Sequence, residues 1–332
     1  MANALAAFDY RSDLLSAKEE PVPLSYEIEN LRFLPSVTIF HDPRCIEYST
    51  PGHPERPARI IRTVPLLKDR HPEWTWREPQ LVDGATLLRA HSREHLARIR
   101  NMTLNFDADT PAYPGIFEYA ARAAGAALDV AREARKGHRA FSLMRPPGHH
   151  ATQDRPMGFC YFNNVAVAAL DALANGVEQV AIWDFDAHHG NGTEDIVANN
   201  PGIAFVSIHQ FPGYPGTGTR SFDNIHNFHV GPFTPRLDHV DEVRRALDKL
   251  ITLKPDLLLV SAGFDAYAGD PITQMMLEPD DFATFGRWLH ETNIPAGAIL
   301  EGGYSDELPE LIDAFLSSWD LGRNESPNPS VE

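Results

Sequence analysis

Ala181-Ile182-Trp183-Asp184-Phe185-Asp186-Ala187-His188-His189-Gly190-Asn191-Gly192-Thr193 is a short apolar run that ends in two acids and two histidines. The apolar approach reads as a strand. Side chains in an extended chain repeat every second residue, so Asp184, Asp186 and His188 are expected on one face. Asp and His suit a divalent metal such as zinc, and the stretch is read as part of a metal site at a strand's end. A helix start capped by one Asp would leave the second acid and the histidine pair unexplained.

Outward from this stretch, a pattern of apolar run, polar or glycine-rich loop and helix recurs from Ala140 onward. Ala140 to Met144 leads into Arg145-Pro146-Pro147-Gly148-His149-His150, and Ile203 to Ile208 into His209 and a glycine-rich loop. Leu257 to Ser261 leads into Ala262-Gly263-Phe264-Asp265, and Ala298 to Leu300 into Glu301-Gly302-Gly303-Tyr304. Such alternation marks parallel βαβ units, which predicts an α/β fold: a three-layer α-β-α single domain with a central, mostly parallel sheet. Open parallel sheets bind ligands outside the carboxyl ends of their strands, so five sequence-distant clusters are expected to converge on one pocket. Helices over Phe162 to Ala174 and Leu237 to Leu250 would cover the sheet.

Upstream, Val37 to Phe40 reads as a first strand, followed by a proline-rich loop over residues 51–57 that can form a rim. Residues 85–100 and 116–136 read as helices, the second alanine-rich and stopped by Gly137. His91 and His95 stand four apart but lack the Glu of a His-Glu-x-x-His motif, and are read as structural or exposed. The expected boundaries are an extension over residues 1–35, either disordered or clasping the body or a second subunit, a domain over 36–319, and a fraying tail over 320–332.

With 332 residues and 43% hydrophobic content, the chain can bury a large core. Two cysteines, Cys45 and Cys160, are too few for a disulfide framework. No apolar run approaches the ~20 residues of a membrane span, and the amino terminus lacks a basic region before an apolar core. A soluble protein in the reducing cytoplasm is expected. The formal charge of −17 opposes broad nucleic-acid binding and favours cationic substrates if the acids lie near the site.

A catalytic zinc usually has three protein ligands and an open position. Asp186 and His188 supply two, and Asp265 is the natural third. Asp270, before Pro271, competes, although an Asp there more often serves a turn. Two carboxylates nearly cancel the metal's charge, so a protein base becomes necessary, and His149-His150 is its source. Adjacent histidines can do different work if a carboxylate partners one and a neutral amide the other; Asp184 and Asn191 are the candidate partners. Tyr304 can donate to a carbonyl oxygen as it becomes an oxyanion.

Together, Arg145-Pro-Pro-Gly-His-His150, Gly158-Phe-Cys160, Asp184 to Thr193, Ser261-Ala-Gly-Phe-Asp265 and Glu301-Gly-Gly-Tyr304 resemble the zinc-dependent histone deacetylase family, of the arginase/deacetylase fold. The likeness is nearest to the class II type and its bacterial relatives, and covers about Val37 to Leu316. It implies zinc held by Asp186, His188 and Asp265, His150 as general base and acid, and His149 paired with Asp184. Tyr304 would polarise the acyl carbonyl, and Asn191, where some relatives carry Asp, would keep His150 less basic. It further implies an acyl-lysine tunnel lined by Gly158, Phe159 and Tyr214, and a rim carboxylate at Asp107 or Asp109. A structural potassium or sodium ion would sit near Asp184, Asp186, His188 and Ser207. Ile272 stands where polyamine-selective relatives place an acid, which favours acyl-lysine over acetylpolyamine. His189 is assigned to structure. The rival readings are a deacetylase of acetylpolyamines or other small acylated amines, a dimanganese ureohydrolase, and a catalytically silent acyl-lysine binder.

Overall fold

The computed structural model describes residues 37–320. The expected extension, and the tail beyond Asp320, lie outside the described residues. The elements are β1 (Thr38–Phe40), α1 (Ala58–Arg70), β2 (Thr75–Arg77), α2 (Gly84–Leu87), α3 (Arg93–Asn101), α4 (Ile116–Ala134), β3 (Ala140–Ser142), α5 (Asn164–Ala174) and β4 (Val180–Asp184). There follow α6 (Asn191–Val197), β5 (Ile203–Gln210), β6 (Ile225–Val230), α7 (Arg236–Ile251), β7 (Leu257–Ala262), α8 (Pro279–Glu291), β8 (Ala296–Leu300) and α9 (Leu308–Trp319).

One eight-stranded sheet runs in the order β2-β1-β3-β8-β7-β4-β5-β6, and every pairing is parallel. Every residue of β4, β7 and β8 is buried, as expected of strands covered by helices on both faces. The chain crosses from β3 to β4, runs outward to β6, and returns through β7 and β8 to fill the gap. The five strands followed by polar clusters, β3, β8, β7, β4 and β5, are therefore contiguous, and their loops open at one end of the sheet. Among the described residues no helix is long and apolar enough to cross a membrane.

The alanine-rich α4 packs on β3 and β8. Its small face is needed there: Ala123, Ala126, Ala127, Ala131 and Ala134 are buried, and a Cβ added at Gly297 in β8 would stand 2.4 Å from Val130 Cγ1. Gly137, with φ of +80°, ends this helix two residues earlier than expected. The single helix expected over residues 85–100 is instead α2 and α3. Asp83 caps the first, and Ser92 accepts from the His95 amide to start the second, because local oxygen caps compete with a continuous helix. Edge strands β2 and β6 have too few apolar residues to be read beforehand; β6 is Ile-His-Asn-Phe-His-Val.

Beneath the sheet's carboxyl end lies an ion pair. Arg145, fully buried, donates from Nη2 to Glu55 Oε2 at 2.8 Å and from Nε to Glu55 Oε1, and its Nη1 donates to the Cys45 carbonyl at 2.7 Å. Its guanidinium also lies 4.3 Å from the centre of the Tyr48 ring. The pair ties the proline-rich loop to the segment leading to His149. Burial opposes charge on Glu55, but Arg145 and then Arg59 outweigh it and hold the carboxyl below its ordinary range. Glu55→Gln leaves Arg145 buried without a counter-charge, which is expected to cost about 3 to 5 kcal/mol in urea unfolding at neutral pH. A folded-state value below the ordinary 4.5 stabilises fully above that pH, so the deficit of Glu55→Gln should shrink as pH falls below it; a deficit independent of pH would exclude the ion pair as its cause.

Candidate active site

β4 stops at Asp184, and the chain beyond it is not extended. Asp184 Oδ1 accepts the Asp186 amide at 3.1 Å, and Asp186 Oδ1 accepts the His188 amide at 2.9 Å. Each aspartate thus turns the backbone two residues on, which corrects the expectation of three alternating side chains on one strand face. Asp184 faces the histidine pair instead of joining Asp186 and His188.

Asp265, in the loop after β7, completes a group of three. One ligand atom from each of Asp186, His188 and Asp265 lies within 4.8 Å of the others, and Asp270 is outside the group. His188 Nδ1 stands 2.9 Å from Asp265 Oδ2 and 3.2 Å from Asp186 Oδ1. Both carboxylates are fully buried. Burial first, and then the charge of Asp186, push the Asp265 carboxyl up. Burial opposes a charged His188, but Asp265 and then Asp186 hold it up to about 10. Two buried, mutually repelling carboxylates beside an imidazole form a donor set that fits a divalent cation such as zinc, which relieves the repulsion and accepts all three. Among the described residues this is the one such group.

His149 and His150 arrive in the loop after β3. His149 Nδ1 donates to Asp184 Oδ2 at 3.0 Å, and its Nε2 lies 3.7 Å from Asp186 Oδ1. Burial opposes charge on His149, yet Asp186 and Asp184 raise its pKa well above the ordinary value. His150 Nδ1 donates to Asn191 Oδ1 at 2.7 Å. Burial, then the neighbouring His149 and His188, lower its pKa well below the ordinary value. The first turn of α6 fixes this arrangement, because the Gly192 and Thr193 amides donate to the His149 carbonyl at 3.0 and 3.1 Å. Gly192 is required there: a Cβ would lie 2.3 Å from the Ala151 carbonyl oxygen.

From the loop after β8, Glu301 accepts the Gly148 and His149 amides at 2.6 and 3.1 Å, and Gly302 donates to Asp186 Oδ2 at 2.7 Å. Tyr304 is 6% exposed, packs on Phe159 with ring centres 5.6 Å apart, and carries the Arg59 guanidinium 4.9 Å above its ring. Burial, against the pull of Arg59, raises its pKa well above the ordinary value, which keeps the hydroxyl a donor.

A cavity of about 290 Å³ is lined by His150, His188, Tyr304, Gly158, Phe159, Tyr214 and Ile272 together with His53, Pro54 and Asp109. It brings together every residue expected of the tunnel. Of the two rim candidates, Asp109 lines the cavity, while Asp107 accepts the Asp109 amide at 3.0 Å. His53 was not anticipated as a lining residue, and its position in the proline-rich loop was the single signal; its Nε2 lies 3.0 Å from the Asp109 carbonyl. Glu301 was visible only as part of a motif. Ser207, expected near a monovalent cation, is buried, pairs in register with Asp184, and has its Oγ 3.0 Å from His209 Nδ1. His189 is buried between Thr217 Oγ1 at 2.8 Å and Glu194 Oε2 at 3.1 Å. His91 and His95 are buried, stack 4.6 Å apart, and hold the Thr152, Asn163 and Tyr161 backbone.

Residues 53–318 match a family described as histone deacetylase domain. A probable deacetylase of Methanothermobacter thermautotrophicus is 36% identical over 291 residues, which span 82% of this chain and 86% of the relative. An acetylpolyamine amidohydrolase of Mycoplana ramosa is 36% identical over 220 residues, 61% of this chain and 62% of the relative. The crystal structure of the HDA15 HD domain superposes with a TM-score of 0.77 at 29% identity, covering 85% of this chain and 90% of that one.

Adding zinc to chelator-treated protein is expected to stabilise it by about 2.7 kcal/mol at a hundredfold excess over Kd, read as a rise in thermal midpoint. Asp186→Asn and Asp265→Asn should each lose this shift, and Asp270→Asn should keep it. A full shift in Asp265→Asn would remove that carboxylate from the ligand set.

Proposed function

This chain belongs to the histone deacetylase family, and from that premise we propose that it hydrolyses the acyl amide of acyl-lysine side chains. The observation that carries the reading is the unlike partnering of two adjacent histidines, His149 with Asp184 and His150 with Asn191, beside the Asp186, His188 and Asp265 donors. A zinc ion held by those donors would polarise the amide carbonyl and acidify water at the site.

The chain's own residues do the rest. His150, with Nδ1 engaged by Asn191 and its pKa low, is neutral; its Nε2 takes the proton of the attacking water and returns it to the leaving amine. His149 stays charged beside Asp184 and steadies the negative charge that develops at the carbonyl. Tyr304 donates a hydrogen bond from its hydroxyl to the same oxygen. Phe159 and Tyr214 flank the four-carbon stem of a lysine, and apolar Ile272 lines the outer wall. The products are a carboxylate and a free amine. The catalytic domain is proposed to span residues 36–319. A structural potassium or sodium ion is proposed beside Ser207, supported by its register with Asp184. Two buried, unpaired cysteines agree with a reducing, cytoplasmic setting.

A second reading is a deacetylase of acetylpolyamines. It is favoured by the formal charge of −17, by Asp109 at the cavity, and by the likeness to the Mycoplana ramosa amidohydrolase. A panel of acyl-lysine peptides and acetylpolyamines separates the two by kcat/KM, and a preference for acetylpolyamines would overturn the first.

His150→Ala is expected to lower kcat by about 10²- to 10⁴-fold. Tyr304→Phe is expected to lower it by about 10²- to 10³-fold. Both should retain zinc by metal analysis. Unchanged rates would refute these roles, and two metals per chain would favour a ureohydrolase.

A further inference from the structure

Asp270 lies in the loop after β7, five residues beyond Asp265, and is 7% exposed. It is not among the three clustered donors. Both of its oxygens are nonetheless engaged. Oδ2 accepts the Tyr304 amide at 2.7 Å, and Oδ1 accepts the Ile272 amide at 3.1 Å. One carboxylate thus joins the backbone of the tyrosine arm to that of the cavity wall.

The arm needs such a hold. Tyr304 follows Gly302 and Gly303, the latter at φ of +115°, and lies outside any helix or strand. Its ring has a second restraint: Arg59 Nε donates to the Gly303 carbonyl at 2.7 Å, and the guanidinium lies over the ring. Arg59 fixes the residue before Tyr304 and the ring face, whereas Asp270 fixes the amide of Tyr304 itself. A carboxylate suits this place because both partners are N–H donors and it offers acceptors alone. Asn would turn an NH2 group toward one of the two amides.

We propose that Asp270 is a positioning residue that holds Tyr304 at the reacting carbonyl and locks it to the Ile272 wall. The proposal rests on the reading of Tyr304 as a hydrogen-bond donor to the acyl group. Misplacement of a catalytic group by about 1 Å can cost on the order of 10²-fold. Asp270→Asn, which keeps the volume, is therefore expected to lower kcat by about 10- to 100-fold with KM nearly unchanged. Its zinc content and zinc-induced thermal shift should match those of the wild type.

A double-mutant cycle separates positioning from general damage. In a Tyr304→Phe background the Asp270→Asn substitution should cost less than about twofold, because the hydroxyl it would misplace is gone. Equal losses in both backgrounds, or a wild-type kcat in Asp270→Asn, would overturn the proposal. If Tyr304→Phe alone keeps the wild-type rate, the catalytic reading of Tyr304 fails instead. The positioning claim is then decided by a crystal structure of Asp270→Asn, in which an undisplaced Tyr304 ring would overturn it.

Discussion

Buried carboxylates at the carboxyl end of the sheet are the constraint on which the site depends. Asp184, Asp186, Asp265, Asp270 and Glu301 all lie below 10% exposure, and each accepts backbone amides, four of the five from a loop other than its own. An uncompensated charge in such a place costs several kcal/mol, whereas charge-assisted bonds to fixed amides offset much of that cost. Asp186 reaches Gly302, Asp265 reaches Ala187, Asp270 reaches Tyr304, and Glu301 reaches Gly148 and His149. The loops after β3, β4, β7 and β8 are knitted together by these acids, alongside ring contacts of Phe185 with Phe264 and of Phe159 with Tyr304.

The same lattice makes two neighbouring histidines chemically unequal. Their burial is alike, so burial cannot separate them. The difference comes from the partner at Nδ1 and from distance to the acids: His149 meets Asp184 and Asp186, and His150 meets an amide and two other imidazoles. A charged His149 in turn disfavours a second charge on His150. One loop therefore carries two imidazoles whose pKa values are pushed in opposite directions.

Much of this was legible in the sequence because it follows from local pattern. The apolar runs before His149, Asp184, His209, Asp265 and Glu301 gave five parallel strands, and contiguity of those strands in the sheet brings their loops together. Asp186, His188 and Asp265 stood out as ligand types at strand ends. What stayed hidden depends on contacts between distant residues. Nothing local distinguishes Asp270 from an ordinary turn aspartate until Tyr304 is placed beside it. His53 is silent for the same reason, Glu301 showed only as part of its motif, and the polar His and Asn of β6 mask its strand. The expected alternation beyond Asp184 failed because aspartate side chains bonding amides two residues on compete with extension.

The cavity wall shows how a strained backbone is kept in service of the site. Gly158 at φ of +55° and Phe159 at φ of +68° form consecutive left-handed residues, and the second is a conformation that costs a bulky side chain on the order of 1 to 3 kcal/mol. Gly158 has no alternative, since a Cβ there would lie 2.5 Å from His150 Cδ2. Phe159 is held by its amide donating to Thr110 Oγ1 at 3.2 Å and by ring contacts to His53 at 4.7 Å and Tyr304 at 5.6 Å. The turn sets the backbone against His150 and the aromatic ring against Tyr304. Relaxing Phe159 into an ordinary conformation would move the wall away from Tyr304, so the strain and the narrow cavity are two sides of one arrangement.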